Sequence, residues 1–315
     1  MSKNVLKLIV LLIVSIMMVT AVGCTQTAPE GDQKQGDQAD KGGNKNQVVG
    51  KIIGIDPGAG IMSTTETALE EYDLNYDIVA GSGATMTAAL GDAIESEKWI
   101  VVTGWAPHWK FNKWDLKFLD DPKGIYGETE QVNTIARKGF KEDMPEAYAF
   151  MDAFHWDPAD IQQVMLMNAE KGTTPAGNAK KWVEDNMDRV QEWIPEGFEM
   201  GSGQGTVKLG YVEWAGEIAS TNVVSEVLKK MGYETDLLPL GAAAMWQGVA
   251  EGEFDVMTSA WLPTTHKAYY DKREADIDDL GENMKGTRIG LVVPKYVTID
   301  SIEELNENTE KFQKP

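Results

Sequence analysis

VKLGYVEWAGEI, residues Val207 to Ile218, repeats the pattern of KIIGIDPGAGIM, residues Lys51 to Met62. Working outward, WIVVTGWAPHW (Trp99 to Trp109) answers to FDVMTSAWLPTTH (Phe254 to His266), and NTIARKGF (Asn133 to Phe140) to TRIGLVVPKY (Thr287 to Tyr296). Gly54 pairs with Gly210, Trp105 with Trp261 and Ile135 with Leu291, each pair 156 residues apart. A constant offset over three landmarks implies duplicated lobes. Each copy reads strand, loop, helix, strand, helix, strand. Lys51 to Ile55, Ile100 to Thr103 and Val256 to Ser259 are short apolar runs expected to be strands, and Asp56-Pro57-Gly58 marks a turn. Ser63 with Glu66 three residues on predicts a capping box that opens a helix to about Tyr72, and Ser220 and Thr221 are expected to open a helix that stops at Gly232. Alternating strands and helices make an α/β fold in which each lobe is a mostly parallel sheet flanked by helices. Ligands on such sheets sit outside the carboxyl ends of the strands, so two facing lobes would hold a cleft between them. Between the copies, Glu142 to Trp193 reads as helices packed on the second lobe, followed by a Gly-rich joint, GFEMGSGQG, from Gly197 to Gly205.

Composition narrows the function classes. Among 315 residues, 50 are acidic and 29 basic, for a net charge of -21. Phosphate binding needs a basic stripe, so a nucleic-acid partner is not expected. Cys24 is the single cysteine, which leaves no internal disulfide and no thiolate metal cluster. His108, His155 and His266 are far apart and show no metal-ligand spacing. Neither a metal nor a cofactor is expected.

The first residues are built for export. Lys3 and Lys7 precede an apolar run from Leu8 to Val22, and small residues lead into Cys24. That is the layout of a signal peptide, and 15 apolar residues fall short of the roughly 20 of a membrane-spanning helix. Residues 1–23 are therefore expected to be removed, which takes away two lysines and deepens the charge from -21 to -23. The junction resembles a bacterial lipobox, with Ala21 where leucine is usual, and implies lipidation of Cys24. Residues 24–47, rich in Gln, Gly, Asp, Lys and Asn, cannot bury a core and are expected to form a flexible tether. The chain is expected outside the cell, held to the membrane by its lipid anchor.

Unusual residues gather in the loops after the strands. Trp105 and Trp261 follow the third strands of the two copies, and Trp214 lies in the loop after the first strand of copy two. In copy one that loop is Gly58, Ala59, Gly60, Ile61. Three indoles and a helix start would converge on one cleft. A trimethylammonium cation has no N–H to donate, so indole faces suit it better than hydrated carboxylates, at roughly 0.5–2 kcal/mol per ring. The carboxylate at the other end of a betaine suits the backbone N–H groups of Gly60 and Ile61 at the helix start. His266 could add a donor to the same carboxylate. The remaining tryptophans Trp99, Trp156, Trp182, Trp193 and Trp246 read as packing or surface residues, and Asp56 as a turn former.

IIGIDPGAGIM, VVTGWAPHW, GYVEWAGEIASTNV and SAWLPTTHKAYY together resemble the glycine-betaine-binding lipoproteins of compatible-solute ABC transporters, over the chain from about Lys51 onward. The resemblance implies a two-lobed, periplasmic-binding-protein-like (type II) fold with the ligand between the lobes. It implies a cage of Trp105, Trp214 and Trp261, with the ligand carboxylate on the amides of Gly60 and Ile61 and on His266. It further implies a monomer that captures glycine betaine, or a related quaternary-ammonium solute, and delivers it to ABC transporter permease subunits. Relatives with the halves in the other order suggest that VTIDSIEELNE, Val297 to Glu307, returns to lobe one. Lobe one is thus expected at 48–136 plus 294–315, and lobe two at 137–293.

Other readings stay open. Proline betaine, carnitine and choline present a similar cation, although choline lacks the carboxylate. An enzyme or a sensor domain acting on small acids is a further alternative, but no G-x-S-x-G, H-E-x-x-H or phosphate loop is present. A sugar-stacking site would call for several Asn, Asp or Arg side chains, and these loops hold few.

Overall fold

A computed structural model describes residues 49–313. The export segment, Cys24 and the tether up to Val48 lie outside the described residues.

Among the described residues, nine strands form one mixed sheet: β1 (Gly50–Ile53), β2 (Tyr76–Val79), β3 (Val101–Ala106), β4 (Leu116–Phe118), β5 (Glu130–Arg137), β6 (Thr206–Tyr211), β7 (Glu234–Pro239), β8 (Val256–Leu262) and β9 (Ile277–Pro294). Their order is β2-β1-β3-β9-β5-β8-β6-β7, with β4 paired to β9. The order has an internal symmetry: β2-β1-β3 mirrors β7-β6-β8, and all pairings inside these two groups are parallel. This is the two-halved α/β arrangement expected from the repeat.

The halves share their crossing strands. β9 runs for 18 residues. Its first part pairs with β5 from Ile277 to Thr287, and its last part pairs with β3 from Arg288 to Val292. β5 in turn pairs with β8. Each copy thus lends a strand to the other. By pairing, β5 goes with the second half and residues 288–294 with the first. The crossing also lengthens β3 and β8 beyond the expected strands. Antiparallel pairs Trp105↔Ile289 and Val132↔Trp261 hold both tryptophans inside strands rather than in the loops behind them.

Helices cover the sheet. In the first half these are α1 (Gly60–Glu71), α2 (Gly83–Glu95) and the short α3 (Lys110–Lys113). Then come α4 (Phe140–Asp143), α5 (Pro145–Ala153), α6 (Pro158–Ala169), α7 (Pro175–Asp185) and α8 (Met187–Gln191), followed by α9 (Ala215–Met231), α10 (Ala242–Glu251) and α11 (Lys267–Arg273). Helices α6 and α7 begin with proline at the first position, where the missing N–H costs nothing. Their apolar faces join Val207, Leu209, Val223 and Val227 in one core, which places the 140–194 helices on the second half. Phe154, Trp156, Trp182 and Trp193 form the aromatic centre of that core. The C-terminal Val297, Ile299, Ile302, Leu305 and Phe312 pack with Ile52 and Ile53 of the first half.

Helix ends depart from the sequence reading at their starts and match it at both stops, Tyr72 and Gly232. Helix α1 begins three residues before Ser63, with Ala59 as N-cap and no side-chain cap. Ser63 instead donates to the Gly60 carbonyl at 3.0 Å. Helix α9 starts at Ala215, ahead of Ser220, with Trp214 as N-cap. It ends at Gly232, whose φ of 109° requires glycine, and the Gly-rich joint wraps this end: Gly201 and Gly203 both donate their N–H to the Met231 carbonyl.

Candidate functional site

The carboxyl ends of the inner strands open on one cavity. It encloses about 440 Å³ of empty space, its mouth included. Trp105, Trp214, Trp261, Gly60, Ile61 and His266 all line it. The first-half wall is the start of α1 with Trp105 from β3. The second-half wall is Trp214, Trp261 and His266. Six residues chosen from two halves of the sequence therefore meet in one space.

Each is held by its local structure. Gly60 and Ile61 are the first two residues of α1, so their N–H groups have no acceptor one turn back inside the helix. The N–H of a helix start carries the positive end of the helix dipole. Gly60 is required to be small here. A Cβ built on it would lie 2.0 Å from the Thr265 carbonyl oxygen of the opposite half. Glu130 fixes that opposing turn by accepting from the backbone N–H groups of Thr264 and Thr265, both at 2.7 Å, and from the Thr265 hydroxyl.

His266 is almost wholly buried, at 1% exposure. Its Nδ1 accepts from the Trp261 backbone N–H at 3.1 Å, so the proton of the neutral ring sits on Nε2. Burial lowers its pKa to about 4, only partly offset by the Ser259 backbone. The ring is therefore a neutral donor at physiological pH. It lies nearly parallel to the Trp214 indole, with centroids 6.0 Å apart. Trp246 packs edge-on against it from behind.

Three residues of the site carry no signal in sequence spacing. Asp56, expected only to shape a turn, accepts from the Trp214 indole Nε1 at 2.9 Å. Tyr269 donates to the Gly58 carbonyl at 2.8 Å, so two bonds join the halves beside the cavity. Glu217 also lines the cavity. It is buried in the first turn of α9, and its Oε2 accepts from the Val212 N–H at 2.5 Å. Burial raises its pKa to about 8. An acidic residue in a first helical turn ordinarily complements the helix dipole from the surface, which hides its place here.

Behind Trp105 lies a second buried titratable group. The Lys110 Nζ sits 4.5 Å from the Trp105 ring centroid and has no hydrogen-bond partner. Burial lowers its pKa to about 7. His108, edge-on to Trp105 at 4.8 Å, accepts the Lys110 backbone N–H and is held neutral by burial. Trp109 and Trp114 pack on each other outside this cavity. Among the described residues no cluster of His, Cys, Asp and Glu suits a metal ion, and no helix is long and apolar enough to cross a membrane.

Comparison with known proteins gives this geometry a context. The family described as the substrate-binding domain of ABC-type glycine betaine transport systems matches residues 34–185 and 205–315. A curated relative, the glycine betaine/carnitine transport binding protein GbuC of Listeria monocytogenes, is 45% identical over 303 residues, 95% of this chain and 98% of its own length. Among solved structures, lactococcal OpuAC in its closed-liganded conformation with glycine betaine is 47% identical over 46% of this chain and 57% of that one, with a TM-score of 0.44. The ProX protein of Borrelia burgdorferi is 41% identical over 47% of this chain and 56% of that one, with a TM-score of 0.45. These two alignments span little more than half of the solved chains. By the family match and the near full-length identity, the chain belongs to the substrate-binding domains of ABC-type glycine betaine transport systems.

Proposed function

We propose that this protein captures glycine betaine between its halves and hands it to the permease of an ABC transporter. The observation that carries the reading is that one cavity is lined by Trp105, Trp214 and Trp261 together with the first turn of α1. The trimethylammonium group would lie against the three indole faces. Its carboxylate would take the N–H groups of Gly60 and Ile61 and the Nε2–H of His266. Because His266 is neutral, it donates without adding charge, and anion binding rests on the helix start.

The magnitudes agree with a ligand that needs both ends. Three cation–π contacts supply roughly 2–5 kcal/mol, whereas micromolar binding takes about 8 kcal/mol. The carboxylate contacts and methyl burial must contribute the difference. Choline, with no carboxylate, should bind weakly. Carnitine or proline betaine keeps both ends and forms the second reading, supported by the relative named for glycine betaine and carnitine.

The remaining roles follow from the same reading. The protein binds and releases its solute unchanged rather than acting as an enzyme. It works as a monomer on the outer face of the membrane, tethered through lipid on Cys24, with its signal peptide removed. Labelling with a radioactive fatty acid would test the anchor: Cys24→Ser should abolish incorporation, and unchanged labelling would overturn it. The ligand assignment is tested by Trp105→Ala, which should weaken betaine binding at least about tenfold, the loss of one buried cation–π contact with its apolar area. Unchanged affinity in that variant would remove Trp105 from the cage.

A further inference from the structure

The cavity read as a cation cage contains a carboxyl group with nothing on its second oxygen. Glu217 Oε2 accepts from the Val212 N–H, while Oε1 is buried with no hydrogen-bond partner. The Ser259 hydroxyl is near, but no hydrogen bond of proper geometry joins them. A buried, half-satisfied acid costs stability, whether ionised or neutral, unless something completes it. Here the side chain lines the same space as the three indoles.

We propose that Glu217 is the acidic wall of this cage: its carboxyl gives its proton to solvent as the quaternary ammonium enters, and the carboxylate left behind serves as the counter-ion of the bound cation. The inference rests on the betaine reading above and deepens it. The proton balance is simple. A neutral carboxylic acid and a solvated cation become a carboxylate–cation pair and one proton on the buffer. The indoles alone attract a cation through their quadrupoles, and a full charge inside a low-dielectric pocket adds to that attraction without a directional bond. The Val212 N–H and the positive end of α9 stabilise the carboxylate once it forms.

No charged side chain sets the protonation of Glu217 in the protein alone; burial raises its pKa, opposed by the Val212 N–H and by Ser259. The other titratable groups around the cavity walls are His266, Asp56, Glu213, Tyr269 and Lys110. His266 is already neutral and has no proton to lose near pH 7. From α6 the contact with the start of α9 is Ile161, which is apolar. Lys110, behind Trp105, is the one rival source of a proton, because a second cation on the other side of that ring would also favour its neutral form.

The sign of the pH effect follows. If the ionised form is the binding form, affinity rises with pH and levels off above about 8, where the acid is already ionised before the ligand arrives. Between pH 6.5 and 8.5 the gain should be about 25-fold, set by the ionised fraction. Calorimetric titration of the intact protein with glycine betaine, in phosphate and in Tris at pH 7, reads the proton count directly from the buffer-dependent heat. We expect close to one proton released, a count near zero and a flat pH profile for Glu217→Gln, and a retained count for Lys110→Met. Betaine binding with no proton released by the native protein would overturn the inference while leaving the betaine reading intact. A count that survives Glu217→Gln but vanishes in Lys110→Met would overturn it in favour of the lysine. No betaine heat in either buffer would overturn the betaine reading and the role of Glu217 together.

Discussion

The indole Nε1 of Trp214 donates to the carboxylate of Asp56 across 2.9 Å, although 158 residues separate the two in sequence. One residue belongs to the first-strand loop of each copy, so the bond ties the halves together at the edge of the cavity. It also fixes the plane of an indole that lines that cavity. Asp56 touches no part of the proposed ligand position and acts through Trp214. Asp56→Ala should therefore weaken betaine binding by about 5- to 50-fold, in line with roughly 1–2.5 kcal/mol for a hydrogen bond to a charged group. Calorimetry measures the loss, and an unchanged thermal melt of the variant would separate positioning from folding.

Gly60 sits where the halves touch. A methyl group there would meet the Thr265 carbonyl oxygen at 2.0 Å, and that oxygen is backbone held by Glu130, with little freedom to retreat. Gly60→Ala should keep the fold of each half but prevent them from meeting in this arrangement. We expect betaine affinity to fall about 10- to 100-fold, the scale of an overpacked contact. Small-angle scattering should show that betaine no longer reduces the radius of gyration of the variant. Compaction equal to that of the native protein would contradict this account of the glycine.

Much of this site was readable because duplication repeats residue types at a fixed offset. Trp105 and Trp261 announced each other, and both line the cavity. The helix starts were less legible. Ser63 and Glu66 have capping-box spacing, yet the chain enters α1 at Ala59 with no side-chain cap, and the residues carrying the orphan N–H groups line the cavity instead. Strand β9 was hidden for another reason. IDDLGENMKGTRIGLVVP carries charges and two glycines with positive φ, Gly281 and Gly286, in its first part, so only its apolar end reads as strand. Long-range pairing with β5 overrides that local signal. Asp56 and Glu217 were missed because their roles depend on what the fold brings to them from far along the chain.

Lys110 offers a test by pH. Its folded pKa, about 7, lies below the 10.5 of an unfolded lysine. Between these values the unfolded chain holds the proton and the folded protein does not, so stability rises with pH through that window. Below about pH 7 both states are charged and the full cost of the buried ammonium is felt. Lys110→Met removes the group while keeping its length. It should raise the melting temperature clearly at pH 6 and progressively less towards pH 10. Differential scanning calorimetry across that range would expose a contrary trend.

Far from the cavity, Trp193 tests the second-half core. It is fully buried, edge-on to Phe154 at 5.0 Å and stacked on Trp182 at 6.2 Å. Trp193→Ala should cost about 3–5 kcal/mol in urea unfolding, the range for large-to-small changes at buried aromatics. Affinity for betaine, measured well below the unfolding midpoint, should change less than threefold, since cavity and core share no contact through this residue.

The central claim is that the cavity between the halves binds a molecule with a quaternary ammonium at one end and a carboxylate at the other. Calorimetric titration of the protein with glycine betaine and then choline tests it most directly. One-to-one binding of betaine at micromolar affinity or tighter, with choline at least about a hundredfold weaker for want of the carboxylate contacts, is the predicted result. Absence of betaine binding, or equal affinity for choline, would contradict it.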